Sequence, residues 1–492
     1  MKGVMIVGTT SHAGKSFLTT ALCRLFSRQG FRVCPFKGQN MALNAYVTDS
    51  GGEIGYAQAV QAWAAKVSPT VDMNPILLKP QGNMTSQVII KGAAVGVTTA
   101  SDYYRDYFDR GWQTITASLD TLGAIYDVIV CEGAGSPAEI NLKHRDLTNM
   151  RVAKYLNAPT ILVVDIDRGG AFAHVVGTLA LLDPEEVRLI KGIVINKFRG
   201  QKSLLDSGIT WLEEYTGIPV IGILPWTDIP LPAEDSLSLF DQPGRKRSAE
   251  LEVSVLRLPR IANFTDFDPL GAEASVKVKY VGLEESLGYP DAVIIPGSKT
   301  SIGDLGALYS SGMAERLRDY HASGGVIFGI CGGYQMLGES ISDPDGLEGE
   351  DRELKGLGLL PIHTVITADK VTGRRELMAD YPEKGLPVEG YEIHNGKSTL
   401  GNTIDHHFLF NSDPTLGIVH KSFATWGCYL HGLFDNGAWR RGWLNCLRDR
   451  RGLPPLPTAI GNYAGQREIM LDAMADLVDS HLDLKPIVSG WQ

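Results

Sequence analysis

Short apolar runs recur down this chain, and stretches of helical character separate them. The runs cover residues 2–7, 31–37, 126–131, 160–165, 192–196, 251–257, 292–295 and 326–330. A continuous apolar run of this length fits a strand buried on both faces. Strand and helix in alternation lead to a mainly parallel sheet with helices on both sides. The fold class expected is therefore α/β, with helical segments filling the gaps between strands. A chain of 492 residues has room for roughly two to four such domains. Residues 225–250 carry Pro225, Pro230, Pro232 and Pro243, then the basic trio Arg245, Lys246 and Arg247. A fresh strand pattern begins at Leu251. The expected division is a first domain over 1–227, a linker over 228–250, a second domain over 251–450, and a helical segment over 451–492. Each domain is expected to be a mostly parallel sheet flanked by helices.

Charge and cysteine use narrow the function classes. The net charge of −10 argues against a large nucleic-acid footprint. Six scattered cysteines without a C-x-x-C pair argue against a disulfide framework or a structural zinc site. No run of 18 apolar residues occurs, and the first residues lead straight into a strand. The expectation is a soluble, cytoplasmic protein with no membrane partner. The pair His406-His407 has no third ligand at suitable spacing and reads as surface loop.

Two motifs carry chemistry. The first is Gly8-Thr-Thr-Ser-His-Ala-Gly-Lys-Ser16, between a buried strand and a helical stretch from Phe17 to Gln29. Backbone N–H groups of such a loop and the following helix terminus cradle phosphates. Lys15 would reach the β- and γ-phosphates, and Ser16 would hold Mg²⁺. Gly8, Thr9 and Gly14 complete the loop. Glu132, at the end of a third strand, is placed to ligate Mg²⁺ through oxygen. Asp146 is a substrate or metal contact, or else a helix cap.

The second motif is Gly329-Ile-Cys-Gly-Gly333, where a strand stops and a helix starts. A cysteine on such a turn is pushed out of the sheet, and its small neighbours admit a substrate. A helix N-terminus aimed at the sulfur favours the thiolate. Downstream, Tyr429-Leu-His-Gly-Leu-Phe434 places His431 after an apolar run, where it can act as base.

The longer spacing of the first loop resembles that of the dethiobiotin synthetase group of ATP-dependent ligases. That resemblance implies ATP as cofactor, with Lys37 facing the phosphates, Asp49 assisting the metal and Asn196 in an adenine-binding turn, although Gln201 replaces an acid common there. The cysteine turn resembles that of the class I glutamine amidotransferases. It implies Cys331 as nucleophile, His431 as base, Gln335 as a glutamine contact, and an oxyanion site near Gly297 and Gly332. The acid that usually follows the histidine is missing here, and Glu392 is a possible substitute.

Both halves together resemble the amidases of cobalamin biosynthesis. Phe36-Lys-Gly-Gln-Asn-Met-Ala-Leu-Asn44, residues 132–142 and Gly390-Tyr-Glu-Ile-His-Asn-Gly396 carry the likeness, as does the run 261–268. The likeness implies a glutamine-dependent amidotransferase that activates carboxylates with ATP and Mg²⁺. It further implies a corrinoid substrate, adenosylcobyrinic acid a,c-diamide, amidated at its b, d, e and g side chains.

Overall fold

The computed structural model describes residues 2–82, 84–229, 249–349, 352–402 and 405–491. Six parallel strands form the first sheet, in the order Val220–Pro225, Ile190–Phe198, Thr160–Asp165, Lys2–Gly8, Val128–Glu132 and Val33–Phe36. Every residue of Thr160–Asp165 and Val128–Glu132 is buried, as expected of central strands covered on both faces. A second sheet runs Val276–Gly282, Leu251–Arg257, Ala292–Ile295, Ile327–Ile330, Thr425–Cys428, Gly417–His420 and His406–Phe408. Its first five strands are parallel and its last two antiparallel. The molecule is thus an α/β protein of two domains built on parallel sheets.

Both domains carry separate small sheets with antiparallel strands that the sequence did not reveal. Residues 76–99 are not helical filler. They form the strands Ile76–Gly82, Thr85–Ile90 and Ala93–Thr99 of a small sheet. A long hairpin, Ile362–Ala379 with Leu386–Leu400, reaches from the second domain to the first. On it, Lys370 pairs with the buried carboxylate of Glu53, which Lys79 also holds at 2.6 Å. Most of the expected linker, including Pro230, Pro232, Pro243 and Arg245 to Arg247, lies outside the described residues.

The helix Tyr463–His481 returns to the first domain. Met470, Leu471, Met474 and Val478 are buried in the same cluster as Leu18, Leu22 and Phe26 of the helix Lys15–Arg28. Burying four such side chains is worth on the order of 6–12 kcal/mol as an upper figure. Arg24 is buried and donates to Asp472 at 2.8 Å and Glu468 at 2.7 Å. Trp491 packs edge-on against Phe26 and Phe31.

Candidate active sites

The phosphate loop lies at the carboxyl end of Lys2–Gly8, where open α/β sheets bind ligands. Gly14, at φ 109, opens the helix Lys15–Arg28. A Cβ on Gly14 would lie 1.9 Å from Nδ2 of Asn196, so only glycine fits. Lys15 is buried, and its Nζ donates to the carbonyls of Thr10 and Gly135 at 3.1 and 2.8 Å. A Cβ on Gly8 would come within 3.1 Å of that Nζ. The buried hydroxyl of Thr9 has no hydrogen-bond partner among the described residues.

Glu132 ends its strand fully buried beside the loop. It accepts from Ser16 Oγ at 2.8 Å, Lys37 Nζ at 3.1 Å and Gln61 Nε2 at 2.5 Å. An unpaired carboxylate there would cost several kcal/mol, and these donors offset it. Mg²⁺ typically takes one or two carboxylates, substrate phosphates and water. Adjacent oxygens of Ser16 and Glu132 fit that donor set. Gln61 went unread in the sequence, because an amide within a helix carries no local signal.

Three expectations change or narrow at this site. Asp49 does not join Ser16 and Glu132; it is largely exposed and pairs with Arg374 of the long hairpin at 3.1 Å. Asp146 takes the second of its two expected roles, at a helix start. Its carboxylate accepts from the N–H groups of Thr148, Asn149 and Arg151, at 2.9, 2.8 and 3.1 Å, and so neutralises a helix start. Asn196 braces the loop itself, donating to the Ala13 carbonyl at 2.8 Å.

In the second domain the strand Ile327–Ile330 ends at Cys331, which holds φ 51 and ψ −108 before the helix Gly332–Leu337. Such a backbone costs about 1–3 kcal/mol in a residue with a side chain. Close packing sustains it: a Cβ on Gly333 would sit 1.9 Å from the Ile295 carbonyl, and one on Gly332 would sit 2.8 Å from the Ser298 nitrogen. The turn and the segment around Gly297 therefore touch backbone to backbone. A Cβ on Gly297 would in turn lie 3.2 Å from Cε1 of His431.

His431 is buried and lines the same pocket as Cys331, whose Sγ donates to the Ile393 carbonyl at 3.7 Å. Its Nδ1 lies 2.7 Å from Oδ2 of Asp266, whose Oδ1 accepts from the Gly432 N–H at 3.0 Å. Burial pushes the imidazole down, but Asp266 and Cys331 outweigh it and raise its pKa to about 10. An imidazolium beside the sulfur is the partner a thiolate nucleophile needs. A small cavity opens onto Cys331 and His431, lined also by Gly297, Gln335, Lys79 and Lys370. Gln335 Oε1 is buried without a partner among the described residues, while its Nε2 donates to Tyr429 at 3.3 Å.

Glu392 is not the acid that orients His431. It accepts from Arg375 and lies 3.0 Å from His394. Asp266 holds that place, on the turn Phe264–Phe267. His406 belongs to a strand rather than a surface loop, with its ring against His420. Among the described residues no group of three or more His, Cys, Asp or Glu is arranged to hold a metal. No helix there is long and apolar enough to cross a membrane.

Residues 4–237 match the CobQ/CobB/MinD/ParA nucleotide binding domain, and residues 252–439 match the CobB/CobQ-like glutamine amidotransferase domain. The chain is 67% identical to a cobyric acid synthase of Rippkaea orientalis (strain PCC 8801 / RF-1), over 99% of each chain. It is 69% identical to one of Microcystis aeruginosa (strain NIES-843 / IAM M-2473), again over 99% of each. With one of Synechocystis sp. (strain ATCC 27184 / PCC 6803 / Kazusa) it shares 64%, over 100% of this chain and 98% of the relative.

Proposed function

The chain belongs to the cobyric acid synthase family, and from that membership we propose how its two sites divide one reaction. The enzyme amidates the b, d, e and g carboxylates of adenosylcobyrinic acid a,c-diamide with ATP and glutamine, in cobalamin biosynthesis. Carboxylates are poor electrophiles at neutral pH, so the reaction needs both activation and a nitrogen donor. One observation above all supports the division: the cavity at Cys331 is walled by Lys370 of the second domain and Lys79 of the first.

In the second domain, the sulfur of Cys331 attacks the glutamine amide. N–H groups near Gly297 and Gly332 stabilise the tetrahedral oxyanion. His431, held cationic by Asp266, gives its proton to the departing nitrogen. Ammonia leaves, and water then hydrolyses the glutamyl thioester to glutamate. In the first domain, the loop N–H groups and Lys15 hold the ATP phosphates. A corrinoid carboxylate attacks the γ-phosphorus, ADP leaves, and ammonia displaces phosphate from the acyl phosphate. Magnesium, held by Ser16 and Glu132, would neutralise charge on those phosphates. Lys37 and Gln61 keep Glu132 oriented. Use of ATP and of a reduced thiol favours the cytoplasm as the place of work.

Mass spectrometry of the corrinoid product tests the reading. Incubation with ATP, Mg²⁺ and glutamine should give four successive replacements of hydroxyl by amino groups. Glutamine and ATP turnover without any change in corrinoid mass would refute it.

A further inference from the structure

Asn263 and Tyr391 stand where the two domains meet, directly behind the catalytic histidine. Both are buried, and Asn263 sits at φ 53. Asn263 Oδ1 accepts from the Ala45 N–H at 3.2 Å, and its Nδ2 donates to the Ala45 carbonyl at 3.4 Å and to the Tyr391 hydroxyl at 3.1 Å. That hydroxyl donates to the same Ala45 carbonyl at 3.1 Å. Beside them, the Phe264 N–H donates to Asn44 Oδ1 at 3.0 Å. Two residues of the first domain are thus clasped by three of the second. Leaving any of these buried groups without a partner would be costly.

The same residues hold the catalytic pair from the other side. The Asp266 N–H donates to the Asn263 carbonyl at 3.0 Å. Tyr391 and His431 exchange both backbone hydrogen bonds, at 3.1 and 2.9 Å, and their rings lie 5.4 Å apart, inclined by 20°. His431 and Asp266 are therefore each one bond from a residue clasped to Ala45.

Residues 37–45 link that clasp to the nucleotide site. At one end Lys37 pairs with Glu132. Midway, Asn40 Nδ2 donates to Gln58 at 2.9 Å. Gln58 lies on the helix Tyr56–Ala64, which also carries Gln61 to Glu132. A nucleotide entering beside Glu132 would meet Lys37 and Gln61 there, and the segment that starts at Lys37 ends on the histidine's supports.

We propose that Asn263 and Tyr391 are positioning residues that make glutamine hydrolysis at Cys331 depend on occupancy of the nucleotide site, through Asn44 and Ala45. The proposal rests on the two-site reading given above. Its consequence is that glutamine is not spent while no acyl phosphate is forming.

Glutamate release, measured with and without ATP plus corrinoid, is the test. Wild-type enzyme should be stimulated by about 5- to 150-fold, the usual span of coupling between sites. Tyr391→Phe keeps the ring against His431 but loses the hydroxyl bonds, and its stimulation should fall to about twofold or less. Asn263→Gly, which the positive φ accommodates, should lose stimulation likewise. Amidation driven by ammonium should stay at the wild-type rate in Tyr391→Phe, showing the synthetase site intact. A merely structural role would lower basal and stimulated rates in proportion and keep their ratio; that result, or an unstimulated wild type, would overturn the proposal. Absence of ammonium-driven amidation in the wild type would instead overturn the two-site reading itself.

Discussion

Asp266→Asn exchanges one carboxylate oxygen for an amide nitrogen and removes one charge. Asp266 faces two donors, His431 Nδ1 at 2.7 Å and the Gly432 N–H at 3.0 Å. An amide oxygen can serve one of them, and the NH₂ group must then face the other. The electrostatic loss is larger than the geometric one. Burial alone would lower the His431 pKa, yet Asp266 and then Cys331 raise it from 6.5 to about 10. At about 1.4 kcal/mol per unit, that is roughly 5 kcal/mol net in favour of the imidazolium, the gains from Asp266 and Cys331 less the cost of burial. We expect glutamine-dependent amidation to fall by about 10²- to 10⁴-fold, the usual worth of a positioned acid–base group. Ammonium-dependent amidation should be unchanged. The pH dependence should move too. A raised folded pKa means that the pair stabilises the protein fully below 6.5 and loses this contribution as pH rises through about 10. In Asp266→Asn the alkaline limb of kcat/KM for glutamine should shift down toward neutrality. Parallel assays with glutamine and ammonium, together with the matched variant Glu392→Gln, decide the matter. Glutamine hydrolysis at the wild-type rate in Asp266→Asn, or an equal loss in Glu392→Gln, would refute the assignment of the acid.

Cys331→Ser should abolish synthesis from glutamine and spare synthesis from ammonium; equal loss with both donors would contradict two separate sites. Lys15→Ala should cut amidation from either donor by about 10²-fold or more, since charge stabilisation dominates phosphoryl transfer. A folded Lys15→Ala enzyme near the wild-type rate with ammonium would remove the acyl-phosphate route. Burial raises the Glu53 pKa, but Lys370 and Lys79 outweigh it and bring it from 4.5 down to about 2. Its contribution is thus present above 4.5 and lost as pH falls through about 2, and circular dichroism of Glu53→Gln should lack the part of the acid transition that wild type shows in that window; identical acid curves would count against it.

The parallel core was legible because its strands are buried throughout and read as continuous apolar runs. The phosphate loop and the Cys331 turn were legible because each packs its chemistry into a few adjacent residues between a strand and a helix. What the sequence hid depends on partners far along the chain. Asp266 reaches His431 from a remote turn, and no spacing rule connects the two. Glu392 was a possible substitute in the sequence, but the histidine it meets is His394. Asp49 lies in an ordinary turn whose partner, Arg374, arrives on the long hairpin. The first strand of the hairpin alternates inward and outward only over its first five residues, Ile362 to Ile366, so its period was too brief to read.

The return of Tyr463–His481 to the helix Lys15–Arg28 ties the packing of the first domain to a stretch made late in synthesis. Domains fold as units in the order they emerge from the ribosome. Here the helix made early meets part of its packing on a helix made near the end: among the described residues Arg24 pairs with Glu468 and Asp472. The glutamine site can close while the ATP site still lacks its back wall. Lys2 bonds to the Trp491 carbonyl, so the two ends of the described chain lie side by side. A cut after residue 450 would therefore injure the nucleotide half, far away in sequence, and a new opening in an exposed loop with those ends joined would leave both cores whole.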